Sequence, residues 1–280
     1  MQAHDITLSA GLDIHYFHRS GIGPTLIFLH PSSGYGRMWQ ETTAFLPAEY
    51  NVYALDQRGH GDSSRPDGEY SAEELSRDLK LFIGKLGLQR VIVAGHSLGG
   101  RVALCFAAAY PDNAAGLIMV AGPHLSNFYQ TRDAVKTVYT TAYKTMVSET
   151  RFASREAALS YISTFRPNDT PAAWQHRVDY NMTHAPDGTA TVKYDPVRVA
   201  EGLTHQLIDL KHAAAAVGCP TAFIRGTDSA EMTPQAAQDV ARFWTRTPVD
   251  IHSVEAKVSL QLENPEGLAK AITEFIQRRL

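Results

Sequence analysis

Residues 91–109 constrain the fold more than any other stretch of the chain. Val91-Ile92-Val93-Ala94 is a short unbroken apolar run, Gly95-His96-Ser97-Leu98-Gly99-Gly100 follows at once, and Leu98 to Ala109 has a helical pattern. A strand that is apolar at every position is buried on both faces, the habit of a parallel sheet covered by helices. The chain must turn from strand to helix within a few residues, so the residues flanking Ser97 have to be small. A serine at such an apex sits on a strained turn, above a helix N-terminus whose N–H groups and dipole favour negative charge.

The surrounding sequence repeats the alternation. Asp5–Ser9 and Leu12–His18 read as antiparallel strands around the Ala10-Gly11 turn. Thr25–Leu29, Asn51–Leu55 and Gly116–Val120 are further buried strands, and Ser71 to Leu86 is helical, with Leu75, Leu79, Phe82 and Leu86 on one face. Ser71 with Glu74 has the spacing of a capping box. Strand and helix in alternation predict an α/β, mostly parallel, doubly wound sheet. The first part of this core is expected over residues 1–124.

From about Leu125 to Ala200 the pattern changes to polar, helical and aromatic-rich sequence, punctuated by Pro167, Pro171 and the Asp187-Gly188 turn. Residues 125–200 are therefore expected to form a helical lid inserted over the sheet. Its tyrosines and Trp174 suit either a hydrophobic pocket or ordinary packing. Core character returns over 201–280, with strands at Thr221–Arg225 and Val249–Val254 and a closing helix from Pro265 to Arg279.

Composition excludes several classes of partner. A net charge of −3 gives no basic surface for nucleic acid or anionic lipid. The longest apolar stretches fall short of the roughly 18 residues that span a bilayer, and the first residues lack a secretory pattern. Cys105 and Cys219 have no metal-ligand spacing and read as reduced core thiols. A cytoplasmic protein acting on a small molecule is expected, with no nucleic-acid or membrane partner. No phosphate-cradling glycine loop or histidine–carboxylate ligand set occurs, so neither cofactor nor metal is expected. Oligomeric state leaves no sequence signal.

Gly95-His96-Ser97-Leu98-Gly99 fits the G-x-S-x-G nucleophile elbow in its required strand–turn–helix context. Leu29-His30-Pro31-Ser32-Ser33-Gly34 and Asp56-Gln57-Arg58-Gly59-His60-Gly61-Asp62-Ser63 follow buried strands as loops. With these segments the chain resembles the α/β-hydrolase superfamily over essentially its whole length. The branch of lid-bearing esterases, epoxide hydrolases and C–C hydrolases is the best match. The resemblance implies Ser97 as nucleophile and the N–H groups of Ser32 and Leu98 as the oxyanion hole. Pro31 stands where relatives have glycine and lacks an N–H, but the implied donor is one residue later.

The same resemblance places a carboxylate after Thr221–Arg225. Asp228 lies one residue before the usual position, with Glu231 as an alternative and a loop-capping role for Asp228 as another. Some relatives carry the acid after the preceding strand, where this chain reads Ile118-Met119-Val120-Ala121-Gly122 and offers none. The implied histidine position, counted back from Glu263-Asn264-Pro265, is Val258. Valine accepts no proton, so an ordinary serine triad lacks its base. His252 falls six residues early, inside the last strand, on the order of 20 Å away in extended chain. His124 and His30 are candidate substitute bases or substrate contacts, whereas His96 reads as structural.

Three functions follow as expectations. One is hydrolysis of an ester or C–C bond in a small hydrophobic carbonyl compound through Ser97. A second is a cyclase, lyase, isomerase or decarboxylase that uses the pocket and oxyanion hole without acyl transfer. The third is a silent or engineered ligand-binding relative.

Overall fold

The computed structural model describes residues 1–122, 150–167, 169–205, 209–230 and 232–280. Eight strands form the central sheet: β1 (Gln2–Ser9), β2 (Leu12–Arg19), β3 (Thr25–Leu29), β4 (Asn51–Leu55), β5 (Val91–His96), β6 (Ala114–Val120), β10 (Thr221–Gly226) and β11 (Val249–Val254). Their order is β1-β2-β4-β3-β5-β6-β10-β11. β1 and β2 are antiparallel, as is the β2–β4 pair, and the remaining pairs are parallel.

The unbroken apolar runs have a simple use. Alternate residues of β3 feed two separate cores: Ile27 and Leu29 pack on one face, Leu26 and Phe28 on the other. Helices α2 (Ala72–Lys85) and α3 (Leu98–Ala109) cover the first face, burying Leu75, Leu79, Val102 and Phe106. The second is covered by α1 (Gln40–Ala44) with the turn before it and by the closing helix, through Trp39, Leu268, Ile272 and Phe275. Ser71 caps α2 as its spacing predicts, its Oγ accepting the N–H of Glu74 at 3.2 Å.

Within the insertion, helices α4 (Arg155–Phe165), α5 (Pro171–Tyr180) and α6 (Pro196–His205) are joined by a feature the helical expectation omitted. β7 (Arg151–Phe152), β8 (Met182–His184) and β9 (Ala190–Val192) form a small antiparallel sheet in the order β7-β9-β8. The Asp187-Gly188 turn closes its hairpin, with Gly188 at φ +87° and Ala185 N–H donating to Thr189 O at 2.9 Å. Strands of two or three residues are too short to show alternation. Beyond the insertion come α7 (Lys211–Ala216), α8 (Pro234–Ala241), α9 (Leu260–Glu263) and α10 (Pro265–Arg279).

Candidate active site

β5, β3 and β6 run parallel, and the turns after them gather at one edge of the sheet, where open α/β sheets bind ligands. Ser97 stands at the head of α3 with φ +50° and ψ −112°, a strained conformation for a residue with a Cβ. A Cβ on Gly95 would run into the carbonyl of Gly99, and one on Gly99 into the carbonyl of Leu29. The spacing of small residues around the serine is thus a steric requirement of strand meeting helix. Ser97 is half-buried, and among the described residues no side chain hydrogen-bonds its Oγ. Leu98 N–H belongs to the first turn of α3, where no helix carbonyl is available to it.

The turn after β3 is equally constrained. Gly34 N–H donates to Pro31 O at 2.8 Å across Ser32 and Ser33, and Ser33 has φ +54°. A positive φ at the third position is what a type II turn demands, normally of glycine. Two contacts hold Ser33 there: its N–H donates to His60 Nε2 at 3.2 Å, and its carbonyl accepts from Asn181 Nδ2 at 2.9 Å. Burial pushes the His60 pKa down to about 4 and holds His30 well below the ordinary histidine range. Both rings are neutral near pH 7.

His30 is a brace. Its Nε2 accepts the Gln57 N–H at 3.0 Å and its Nδ1 lies 2.8 Å from Pro31 O, so both ring nitrogens are engaged by backbone. That leaves neither lone pair nor proton for Ser97, which corrects the expectation of His30 as a substitute base. His96 is buried with Nδ1 3.0 Å from Gln261 Nε2, consistent with a structural role. His124 and Glu231 lie outside the described residues.

Asp228 is exposed. Its N–H donates to Ala256 O at 3.1 Å, and its carboxylate accepts from the neighbouring Thr227 hydroxyl at 3.1 Å. The carboxylate therefore has the surroundings of a loop cap. Val258 lies two residues beyond Ala256 with 37% of its surface exposed. Glu263 fixes this turn by accepting the N–H groups of Lys257, Val258 and Ser259 at 2.7, 3.1 and 2.6 Å. Ser259 is in turn tied to the insertion: its hydroxyl donates to Asp169 Oδ1 at 2.8 Å, while Arg177 Nε donates to Asp169 Oδ2 at 2.9 Å. Asp169 and Arg177 are both buried. Sequence reading missed this link, because the partners are about ninety residues apart and nothing local marks them.

A cavity lies between α4, α5, the small sheet and the Ser33 turn. Ser33, Tyr161, Phe165, Arg166, Asn181 and Tyr194 are among the residues that line it. Elsewhere His15, Asp56 and Asp62 bring ligand atoms within 4.8 Å of one another. Each already has protein partners: Asp5 on His15, the N–H groups of Gly36 and Asp62 on Asp56, and Lys193 on Asp62. Burial raises the Asp56 pKa to about 6.

A doubly wound sheet with a strained serine between strand and helix defines a class of protein. Residues 24–255 match the family model described as the alpha/beta hydrolase fold, and the chain belongs to that family. A 2-(acetamidomethylene)succinate hydrolase of Mesorhizobium japonicum is 26% identical over 259 residues, 91% of this chain and 89% of that protein. Epoxide hydrolase 4 of Mus musculus is 33% identical over 122 residues, 42% of this chain. The chain spans only 31% to 34% of the length of curated relatives that it matches at 33% identity. The crystal structure of E-2-(acetamidomethylene)succinate hydrolase shares the fold, with a TM-score of 0.84 over 99% of both chains and 24% identity. Characterised relatives and structural neighbours of the chain are hydrolases and esterases of this superfamily. Among the described residues no helix is long and apolar enough to cross a membrane.

Proposed function

We propose that the protein acts on a small, largely hydrophobic carbonyl compound at the Ser97 elbow, on a site of hydrolase descent whose general base is missing. The observation that carries this reading is the strained Ser97 turn, kept at the cost of about 1–3 kcal/mol while residue 258 is valine. In ester or C–C bond hydrolysis, Ser97 Oγ would attack the carbonyl carbon, and the oxyanion would face the N–H groups of Leu98 and Ser32. That attack needs an acceptor for the Ser97 proton and a donor for the leaving group, and Val258 supplies neither. Removing the base of a serine triad costs roughly 10⁴–10⁶ in rate, or about 5–8 kcal/mol of barrier.

A second reading has its own support. Residue 258 and Ala121, which leaves β6 beside Ser97, are both apolar. Such a site suits polarisation of a carbonyl toward an enolate or alkoxide, as in an isomerase, lyase or decarboxylase, where Ser97 need not be acylated. Retained hydrolase relatives favour the first reading as ancestry; the apolar pair favours the second as present chemistry. A cytoplasmic location accompanies either proposal.

Hydrolysis of a short-chain aryl ester by the wild type, Val258→His and Val258→His/Ser97→Ala separates them. The expected result is a slow wild type, at least a tenfold gain in Val258→His, and loss of that gain without Ser97. Brisk, Ser97-dependent turnover by the wild type would instead mean that a base other than residue 258 serves the serine. No gain in a folded Val258→His protein would mean that the elbow is not a nucleophile site.

A further inference from the structure

Among the described residues, the cavity beside α4 holds a cation that forms no ion pair. Arg166 lines it at the end of α4, and among the described residues no carboxylate lies within ion-pair distance of its guanidinium. Its one polar side-chain contact is a long one, Nη2 donating to Ser33 Oγ at 3.3 Å. Asp169, whose charge acts on Arg166, is already held by Arg177 and Ser259. Among the described residues, two guanidinium groups and one committed carboxylate give this region an excess of positive charge. Burial and the neighbouring Arg177 lower the Arg166 pKa to about 10, so the group stays protonated near neutral pH.

Arg166 is half-buried, with Ser33 Oγ and the face of the Phe165 ring, 5.7 Å away, as its side-chain neighbours, so it keeps donors for an anion or further acceptors. The guanidinium fork matches a carboxylate in two parallel hydrogen bonds. Ser33 Oγ accepts from Arg166, which leaves its own proton to donate to the same anion. The Ser33 backbone is fixed by His60 and Asn181, so the hydroxyl is held on a rigid turn. Tyr161 and Phe165, stacked at 5.7 Å between centroids, give the cavity an apolar wall.

We propose that this cavity is a carboxylate subsite in which Arg166 and Ser33 Oγ receive an acid group of the substrate, the apolar body of which lies against Tyr161 and Phe165. The substrate is then a carbonyl compound that also carries a carboxylate. The ligand's identity as substrate rests on the reading of Ser97 above; the binding of an acid in the cavity does not.

Isothermal titration with 3-phenylpropionate and its uncharged amide, 3-phenylpropanamide, tests the subsite. The acid should bind the wild type and Ser97→Ala at least tenfold more tightly than the amide. Arg166→Gln should bring the two probes within a factor of two, and Arg166→Lys should keep part of the preference. Equal affinity of the wild type for acid and amide overturns the proposal, as does a preference that survives in folded Arg166→Gln. If Arg166→Gln does not fold, the wild-type comparison and Arg166→Lys decide it. The aryl-ester assay carries no acid group, so its failure would remove the role of Ser97 and leave the subsite standing. Failure of the titration would do the reverse.

Discussion

Ser97 and Ala121 leave adjacent parallel strands at the same level of the sheet, and both do so with a positive φ. His96 pairs with Val120 in the β5–β6 register, so the next residues stand side by side, at +50° and +63°. Ala121 N–H donates to Ile224 O at 2.8 Å, which holds the turn against β10. A left-handed alanine is unusual, since only glycine and, less readily, asparagine and aspartate accept that conformation. The backbone at 121 is therefore already shaped for a short carboxylate.

On the proposed reading of Ser97, aspartate there would complete a triad that Val258→His only begins. We expect Ala121→Asp/Val258→His to exceed Val258→His in kcat/KM on an aryl ester by about tenfold or more, since loss of the orienting carboxylate costs up to ~10⁴ in a serine protease. Equal rates for the two proteins would show that a carboxylate at 121 does not reach residue 258.

Glu263 is expected to matter for stability because its carboxylate accepts three backbone N–H groups at once. Hydrogen bonds to a charged group contribute about 1.5–3 kcal/mol each when buried. This carboxylate is partly exposed, so Glu263→Ala should cost about 2–3 kcal/mol in urea unfolding. A loss below about 0.5 kcal/mol would mean that the turn holds itself without the clasp.

Asp169→Ala should be more damaging. It strands Arg177 in the interior and removes the acceptor of Ser259. Breaking a buried pair in this way costs about 3–5 kcal/mol, whereas Ser259→Ala should cost about 1 kcal/mol. Chemical denaturation of the two variants reads the difference, and equal losses would contradict the ion pair as the main anchor.

Acid should weaken the fold through His60. Its folded pKa is depressed to about 4, so its stabilising contribution is fully present above the unfolded value near 6.5 and is lost as pH falls through 4. Protonation would also remove the acceptor of Ser33 N–H. Asp56 acts in the opposite sense, because its raised pKa gives stability at low pH that is lost as pH climbs from about 4 to about 6. The urea midpoint at pH 4.5, taken relative to that at pH 7, should therefore be higher in His60→Asn than in the wild type. An unchanged difference between the two pH values would exclude His60 as an acid-sensitive group.

The features legible in the sequence were those with local causes. Val91–Ala94 is read as buried because every position is apolar, Ser71 as a cap because Glu74 follows three residues later, and α10 because Pro265 opens it. The Ser97 apex is legible for the same reason, as small residues there are required by backbone contact. Asp228 is less legible, because its place in the sequence suits a catalytic role while its exposed side chain turns to Thr227. Nothing in the sequence around His30 marks the two backbone contacts that occupy its ring. The tie from Ser259 to Asp169 and the open charge of Arg166 depend on contacts between distant segments, which no periodicity encodes.

The Glu263 clasp grips main chain alone, and Val258 points a half-exposed side chain away from any structural duty that the hydrogen bonds impose. The geometry of that turn is therefore indifferent to which side chain residue 258 carries. A change of residue there should carry little penalty in folding, so position 258 can be exchanged to probe chemistry with the turn itself left intact.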